Sequence, residues 1–467
     1  MKSLKSQALS GIKWTTTSAV VCSILQIVKM AILARLIAKE DFGLFATISV
    51  ILGFADFFVE AGLGSAIIHK QDATKTDLAV AYTITIALGW LIFIALYFAS
   101  PSIASFYGDS RLTPLLHLAI LIFLIQPLGR QYDALLRRDL EFNLLAKLDI
   151  FASACGFVAS LALAWYGFGV RAFIYSQLTI TLIRTSVLMW LGNKRYGFNL
   201  GFSYAPARFF LRFGAFQICE NSVNYFNSQL DTILIGKLLG QEALGVFFMA
   251  KQLVFRPIQI INPIINKISL PVFARIQNDE GRLKRGFLHV VHALAVIHFA
   301  LFTIIAGFSL EIVSIFLGPY WGQAGVLIEI IAFYAMLLAI GNPVGSLLVA
   351  KGRVDLGLYW NCALLFYTPP ILVVASKWGP TGIAWGLLLS MVGILIPSWY
   401  FLVTKLCAAS FAEYFGNLLK TFLLALICFG LLLVLANFWL KLLVFFIGFK
   451  IYIWYNRSII TEIRSIW

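Results

Sequence analysis

The sequence predicts an all-α polytopic membrane protein built from two related six-helix halves and a C-terminal helix pair. Three observations lead there. First, 61% of the 467 residues are hydrophobic and only 12% are charged, against roughly 25% charged in soluble domains. With a mean hydropathy of +0.90, that much apolar surface must face lipid, where helices satisfy their own backbone groups. Second, Lys and Arg alternate in abundance from one loop to the next. Third, short motifs recur in the same order in the two halves.

The apolar spans run 14–37, 42–68, 78–99, 113–135, 146–165, 170–191, 209–235, 243–273, 287–317, 323–349, 356–375, 381–404, 419–437 and 439–455, about fourteen in all. The basic, amphipathic start MKSLKSQALSGIK precedes a long, polar-striped run without a small-residue cleavage site, so the first span is expected to be a retained helix rather than a leader. Along it Thr15, Ser18, Cys22, Gln26 and Lys29 fall on one helical face. Span two carries Ser49, Gly53, Asp56, Glu60 and Gly64 on one face, and span six contains Arg184. Span seven carries Gln217, Glu220, Asn221, Asn224, Asn227 and Asp231 on one side. Span eight carries Gln252, Arg256, Gln259, Asn262 and Asn266, with Pro257 and Pro263 expected to bend it and free carbonyls for a cavity. The last two spans are the least clearly separate.

The net charge of +15 comes from 36 Lys and Arg against 21 Asp and Glu. In a soluble protein it would point to nucleic acid; here inner loops account for it, and no nucleic acid partner is expected. With the N-terminus inside, inner segments hold 24 of these cations, outer segments seven, and five lie within the membrane. Both termini are then cytoplasmic.

The repeat sets the domain plan. Arg35-Leu36 … Glu40-x-x-Gly43-x-Phe45 matches Lys237-Leu238 … Glu242-x-x-Gly245-x-Phe247 at an offset of 202, and Arg137-x-Asp139-Leu140 matches Arg353-x-Asp355-Leu356 at 216. Tyr166-Gly167-x-Gly169-Val170 echoes Trp378-Gly379-x-x-Gly382-Ile383. This gives an N-lobe at 1–195, a C-lobe at 196–407 and a C-terminal helix pair at 408–467. Six spans per half is an even number, so the halves run parallel, with a central cavity between them suited to alternating access.

A charge at mid-bilayer costs roughly 2.5–3.5 kcal/mol on insertion scales, so such residues face protein or water. The expected cavity set is Lys29, Gln26, Arg184, Asn221, Asn224, Lys251, Arg256 and Gln259, with Lys267 a weaker member. Asp56 and Glu60, four apart, are expected to couple transport to an ion. Two carboxylates that approach in a low dielectric favour sharing a proton; pairing with Lys29 or another cation is the alternative. Cations with forked donors suit phosphate oxygens and amides suit sugar hydroxyls, so the fitting cargo is a bulky amphiphile with a phosphate link.

Other chemistries lack their residues. There is no GxxxxGK[ST] and no GxSxG, the five histidines have no partners at metal spacing, and the six cysteines form no CxxC. No enzyme, metal, disulfide or cofactor is expected.

The stretch LARLIAKEDFGLFATISVILGFADFFVEAGLGSAII at 33–68 resembles the first hairpin of the polysaccharide-exporting branch of the multidrug/oligosaccharidyl-lipid/polysaccharide (MOP) flippase superfamily. There an acid-Phe-Gly-Leu turn precedes Asp-Leu-Gly-Leu, for which Glu60-Ala61-Gly62-Leu63 stands here. DTILIGKLLGQEALGVFFMAKQLVFRP at 231–257 is similar to the second-half turn. The likeness weakens after about residue 405 and is strongest to the Wzx and colanic-acid-exporter type. It implies a V-shaped pair of lobes in the bacterial inner membrane, coupled to an ion gradient. It also implies a flippase carrying undecaprenyl-diphosphate-linked oligosaccharide from the cytoplasmic to the periplasmic leaflet, with contacts to polymerisation and export machinery. A cation antiporter of the same superfamily and a structural assembly subunit are the competing expectations; the first would want an acidic cavity.

Overall fold

A computed structural model describes residues 4–60, 74–197, 199–201, 203–435 and 438–456, and every regular element among them is helical. The chain forms two compact units, Met1–Gly245 and Val246–Trp467.

The first unit holds α1 (Leu4–Leu36), α2 (Lys39–Glu60), α3 (Lys75–Tyr107), α4 (Leu112–Ala119), α5 (Ile122–Ile125), α6 (Pro127–Arg138), α7 (Phe142–Trp165), α8 (Arg171–Tyr196), α9 (Tyr204–Leu238) and the first turn of α10 (Gly240–Ile276). α3 starts on a capping box in which Thr74 and Asp77 satisfy each other's backbone amides, and ends at Gly108 in the left-handed region. The fourth span is not one rod. It breaks before Pro127 and bends by 45°, because proline has no amide hydrogen to offer the Phe123 carbonyl and its ring crowds that turn. α1 packs along α7, α7 along α8, and α9 against α2 and α3. The core is aromatic and aliphatic: Tyr82 stacks edge-on against Tyr132 and donates its hydroxyl to the Leu128 carbonyl at 2.9 Å. Hydrophobic burial alone does not hold such helices together in lipid, so these close contacts and hydrogen bonds carry the association.

The second unit continues α10 and adds α11 (Glu280–Gly307), α12 (Ser309–Phe316), α13 (Gly322–Gly341), α14 (Pro343–Ala350), α15 (Val354–Ala375), α16 (Gly379–Ser398), α17 (Thr404–Cys407), α18 (Phe411–Val434) and α19 (Phe438–Tyr455). α10 runs as one helix through Pro257, Pro263 and Pro271. Each proline removes the amide that would bond the carbonyl four residues back. α11 packs on α13 and α18, around fully buried Phe287, Phe299 and Phe302.

Ten helices among the described residues are long and apolar enough to cross a membrane, or eleven with the bent pair. One of the ten, 354–407, folds back at Ser376–Trp378 so that Gly393 meets the Tyr367 hydroxyl. α9 is too polar to count by hydropathy, and α19 is short, so the total is compatible with fourteen.

The repeat is visible in the backbone. Gly167 and Gly379 both take positive φ, 78° and 71°, at the matching hairpin. Within the first unit the two Glu-x-x-Gly corners interlock. A methyl group built on Gly43 would lie 1.9 Å from the Gln241 carbonyl oxygen, and one on Gly245 would lie 1.9 Å from the Lys39 carbonyl oxygen. Gln241 and Gly245 are the offset-202 counterparts of Lys39 and Gly43, so the contact is reciprocal. Thr47 also donates to the Gln241 side chain at 3.1 Å.

Candidate functional site

In the first unit the charges predicted inside the membrane find partners from distant segments. The Arg130 guanidinium on α6 donates to the Asp56 carboxylate on α2. Asp56 is therefore held by a cation one turn past the break in the fourth span. Glu60, the last residue of α2, is exposed. Arg184 lies between two acids, 2.7 Å from Asp133 and 2.8 Å from Asp149. This three-group cluster ties α8 to α6 and α7, so Arg184 is neutralised by the fold. Lys29 donates to Ser176 at 3.5 Å, and Ser176 in turn donates to the Gly156 carbonyl at 2.7 Å. Lys29 thus points at α8 within its own unit. Gln26 is half-buried one turn earlier, and Asn224 is exposed on α9. The side chain of Asn221 lies outside the described residues.

A cavity of about 300 Å³ opens among α2, α4, α5 and α8, with Ser49, Asp56, Gln126 and Gln177 as its polar lining. Gln126 sits at the break itself, immediately before Pro127.

In the second unit, Arg256 is half-buried on α10. It donates to Gln252 at 3.1 Å and to Gln259 at 3.2 Å. Neither partner carries charge, and no carboxylate bonds it among the described residues. Two carboxamides orient this guanidinium without cancelling it, the arrangement that favours an incoming anion. Lys251 lies over the Phe255 ring, 5.7 Å from its centroid. The buried Asn262 has an unpartnered side-chain oxygen among the described residues. One turn on, Asn266 and Asn342 exchange two hydrogen bonds of 3.3 and 3.0 Å, and Ser346 adds a third of 3.3 Å.

Sequence reasoning identified the charged faces of α2 and α10 but missed Arg130, Asp133, Asp149, Gln126 and Gln177. One signal was readable. Gln126-Pro127 and Asn342-Pro343 are 216 apart, the same offset as the Arg137 and Arg353 motifs. An amide-proline pair at equivalent points of two halves marks an interruption of the helix ladder in each.

Residues 32–325 match the model of a family described as polysaccharide biosynthesis protein. The chain is also 33% identical over 446 residues to the teichuronic acid biosynthesis protein TuaB of Bacillus subtilis (strain 168), covering 94% of this chain and 92% of that one. The chain belongs to the polysaccharide biosynthesis protein family. A second relative is the lipopolysaccharide biosynthesis protein WzxC of Escherichia coli (strain K12), 29% identical over 425 residues, with 91% and 86% covered. The fold is similar to that of lipid II flippase MurJ in an inward closed conformation, with a TM-score of 0.75 at 14% identity, over 96% of this chain and 100% of that one. That likeness is one of fold, and it agrees with the all-α polytopic architecture expected from the sequence. This polysaccharide biosynthesis protein is multi-pass in the membrane.

Proposed function

We propose that this protein is a flippase for lipid-linked oligosaccharide in the biosynthesis of a cell-surface polysaccharide. The cargo is undecaprenyl-diphosphate-linked glycan, moved from the cytoplasmic to the periplasmic leaflet of a bacterial inner membrane by alternating access of the two halves. Both termini are cytoplasmic, as the loop charges imply. The observation that carries the reading is Arg256: a half-buried cation oriented by Gln252 and Gln259, with no carboxylate bonded to it among the described residues. That is the requirement for taking a diphosphate out of water, and it disfavours a cationic cargo. Lys29 and Lys251 add positive charge on α1 and α10, while Gln26, Asn221 and Asn224 offer hydrogen bonds to the glycan. Arg184 takes a structural part, since Asp133 and Asp149 already occupy it. Asp56 and Glu60 couple the cycle to an ion gradient, with the Arg130–Asp56 pair opening and closing as the site empties and fills. The family is described as polysaccharide biosynthesis protein, and WzxC is named for lipopolysaccharide biosynthesis, which supports the glycan part of the reading.

The test is export in cells whose own flippase has been removed. Arg256→Ala and Lys29→Ala should each reduce surface polysaccharide at wild-type protein level, and the double variant should abolish it. Full glycan display by the double variant would overturn the cationic-site reading. Arg256→Lys should restore less than half of export, because an ammonium cannot form the planar fork.

A further inference from the structure

The Gln126-Pro127 and Asn342-Pro343 interruptions stand 216 residues apart; the first bends its helix by 45°, the second lies within one span, and their amides differ in what they meet. In the second half, Asn342 at the break is closed onto protein by its two reciprocal hydrogen bonds with Asn266. In the first half, the side chain of its counterpart Gln126 makes no hydrogen bond among the described residues, although its backbone bonds Ile122 and Gly129, and the residue lines the cavity of about 300 Å³. The side chain of Gln177, across the cavity on α8, likewise makes none among them. Asp56 uses one carboxylate oxygen on Arg130 and keeps acceptor capacity, since a carboxylate offers about four lone-pair sites. Ser49 donates its own proton to the Phe45 carbonyl at 2.7 Å, which leaves its oxygen as an acceptor. Gln126 is half-buried and Gln177 is exposed to the cavity, so both carboxamides can bond a polar molecule that fills the space between them.

From this geometry we infer that the cavity among α2, α4, α5 and α8 is a saccharide subsite that takes one pyranose ring of the cargo, with Gln126 and Gln177 as its selectivity residues. The volume lies at the small end of the roughly 300–1,000 Å³ typical of organic ligand sites. The chemistry is that of a polyol. Two carboxamides each offer a donor pair and an acceptor, Asp56 and Ser49 offer acceptors, and vicinal hydroxyls need both kinds. Phe45 and Phe123 supply apolar lining for the ring's C–H face. A metal cation fits poorly, because Arg130 already supplies the positive partner of Asp56. Both halves carry the interruption; what leaves a site in this half is that no facing amide closes on Gln126 as Asn266 closes on Asn342. Discrimination resides in the unpaired amides. A site built to hydrogen-bond a hydroxyl rejects the analogue that lacks it far more strongly than an apolar pocket rejects an extra methylene.

The inference rests on the reading of the protein as a glycan carrier, and its test separates the two. Full-length protein in lipid nanodiscs is titrated with methyl α-D-glucoside, methyl α-D-galactoside, methyl α-D-mannoside, a deoxy analogue of each and inorganic phosphate, followed by saturation-transfer NMR. At least one glycoside should bind in the millimolar range and its deoxy analogue at least tenfold more weakly. Gln126→Leu and Gln177→Leu should each weaken that glycoside at least tenfold. Gln177→Ala, on an exposed position of α8, guards against a folding artefact. Equal binding by wild type and all three variants, or no glycoside binding to wild type, overturns the subsite, and a cavity filled by water only is then the answer. The same variants are scored for surface polysaccharide. If wild type exports glycan and the leucine variants export with unchanged rate and selectivity, the subsite falls and the flippase reading stands. If wild type binds glycosides through Gln126 and Gln177 but exports no glycan, the flippase reading falls and the subsite stands.

Discussion

The interlocked corners give a prediction whose size follows from geometry. In Gly43→Ala the new methyl begins 1.9 Å from the Gln241 carbonyl oxygen, whereas real methyl carbons stay beyond 3.0 Å. The starts of α2 and α10 must then separate by more than 1 Å, and the obstacle is backbone, which cannot rotate away as a side chain can. Overpacking of this kind costs about 1–3 kcal/mol, while alanine's better helix propensity returns at most about 1 kcal/mol. The net expectation is about 1–2 kcal/mol of destabilisation. Gly245→Ala should cost the same, because its methyl meets the Lys39 carbonyl at the same 1.9 Å. The two glycines relieve one shared helix separation. Once that separation is forced, the second methyl enters at little further cost, so the double variant should fall short of the sum by at least about 0.5 kcal/mol. Thermal unfolding of the purified protein in detergent, with wild type and the three variants side by side, reads both quantities. Additive effects, or a stabilised single variant, would refute the claim that the corners make one reciprocal contact.

Other outcomes follow from the charges. Arg184→Met should leave Asp133 and Asp149 facing each other without a cation; removing one partner of a buried pair costs ~3–5 kcal/mol, reduced here to about 2–3 because Arg184 is 28% exposed. Adding Asp133→Asn and Asp149→Asn should recover most of the lost thermal stability. For Asp56 and Arg130, exchanging the two residues should restore export that either single neutralisation abolishes if the pair serves as a gate; failure of the swap despite normal insertion would assign each side chain a separate ligand. Glu413, in the capped first turn of α18 ahead of its apolar run at 419–437, is held down to about 2 from its ordinary 4.5, chiefly by Lys284 at 2.8 Å and then by the Ser410 amide and hydroxyl. A lowered carboxyl stabilises the fold fully above its unfolded value near 4.5, and that stabilisation is lost as pH falls toward 2. Glu413→Gln should flatten the difference in melting temperature between pH 5 and pH 2.5; an unchanged slope would show that the Glu413 carboxylate contributes nothing there.

The letters alone carried the helical multi-pass class and the family, and they set the expectations for sidedness and for a duplication. Each is a local or linear property. An apolar run of about 20 residues crosses a bilayer wherever it packs, positive loops stay inside whatever their neighbours, and a repeated Glu-x-x-Gly corner is legible as letters. The polar faces of α2 and α10 were legible too, because a 3.6-residue period reports which residues share a side. It does not report which helix that side meets. Asp56 pairs with Arg130, 74 residues on, rather than with Lys29 or Glu60. Arg184 pairs with acids 51 and 35 residues back rather than standing free. Those choices belong to tertiary structure, since a charge takes whichever counter-charge the packed helices bring within hydrogen-bond reach. The two amide-proline breaks show the same limit. The sequence placed Gln126 and Asn342 at matching points of the repeat, but only the packing around them closed one onto Asn266 and left the other open to a cavity.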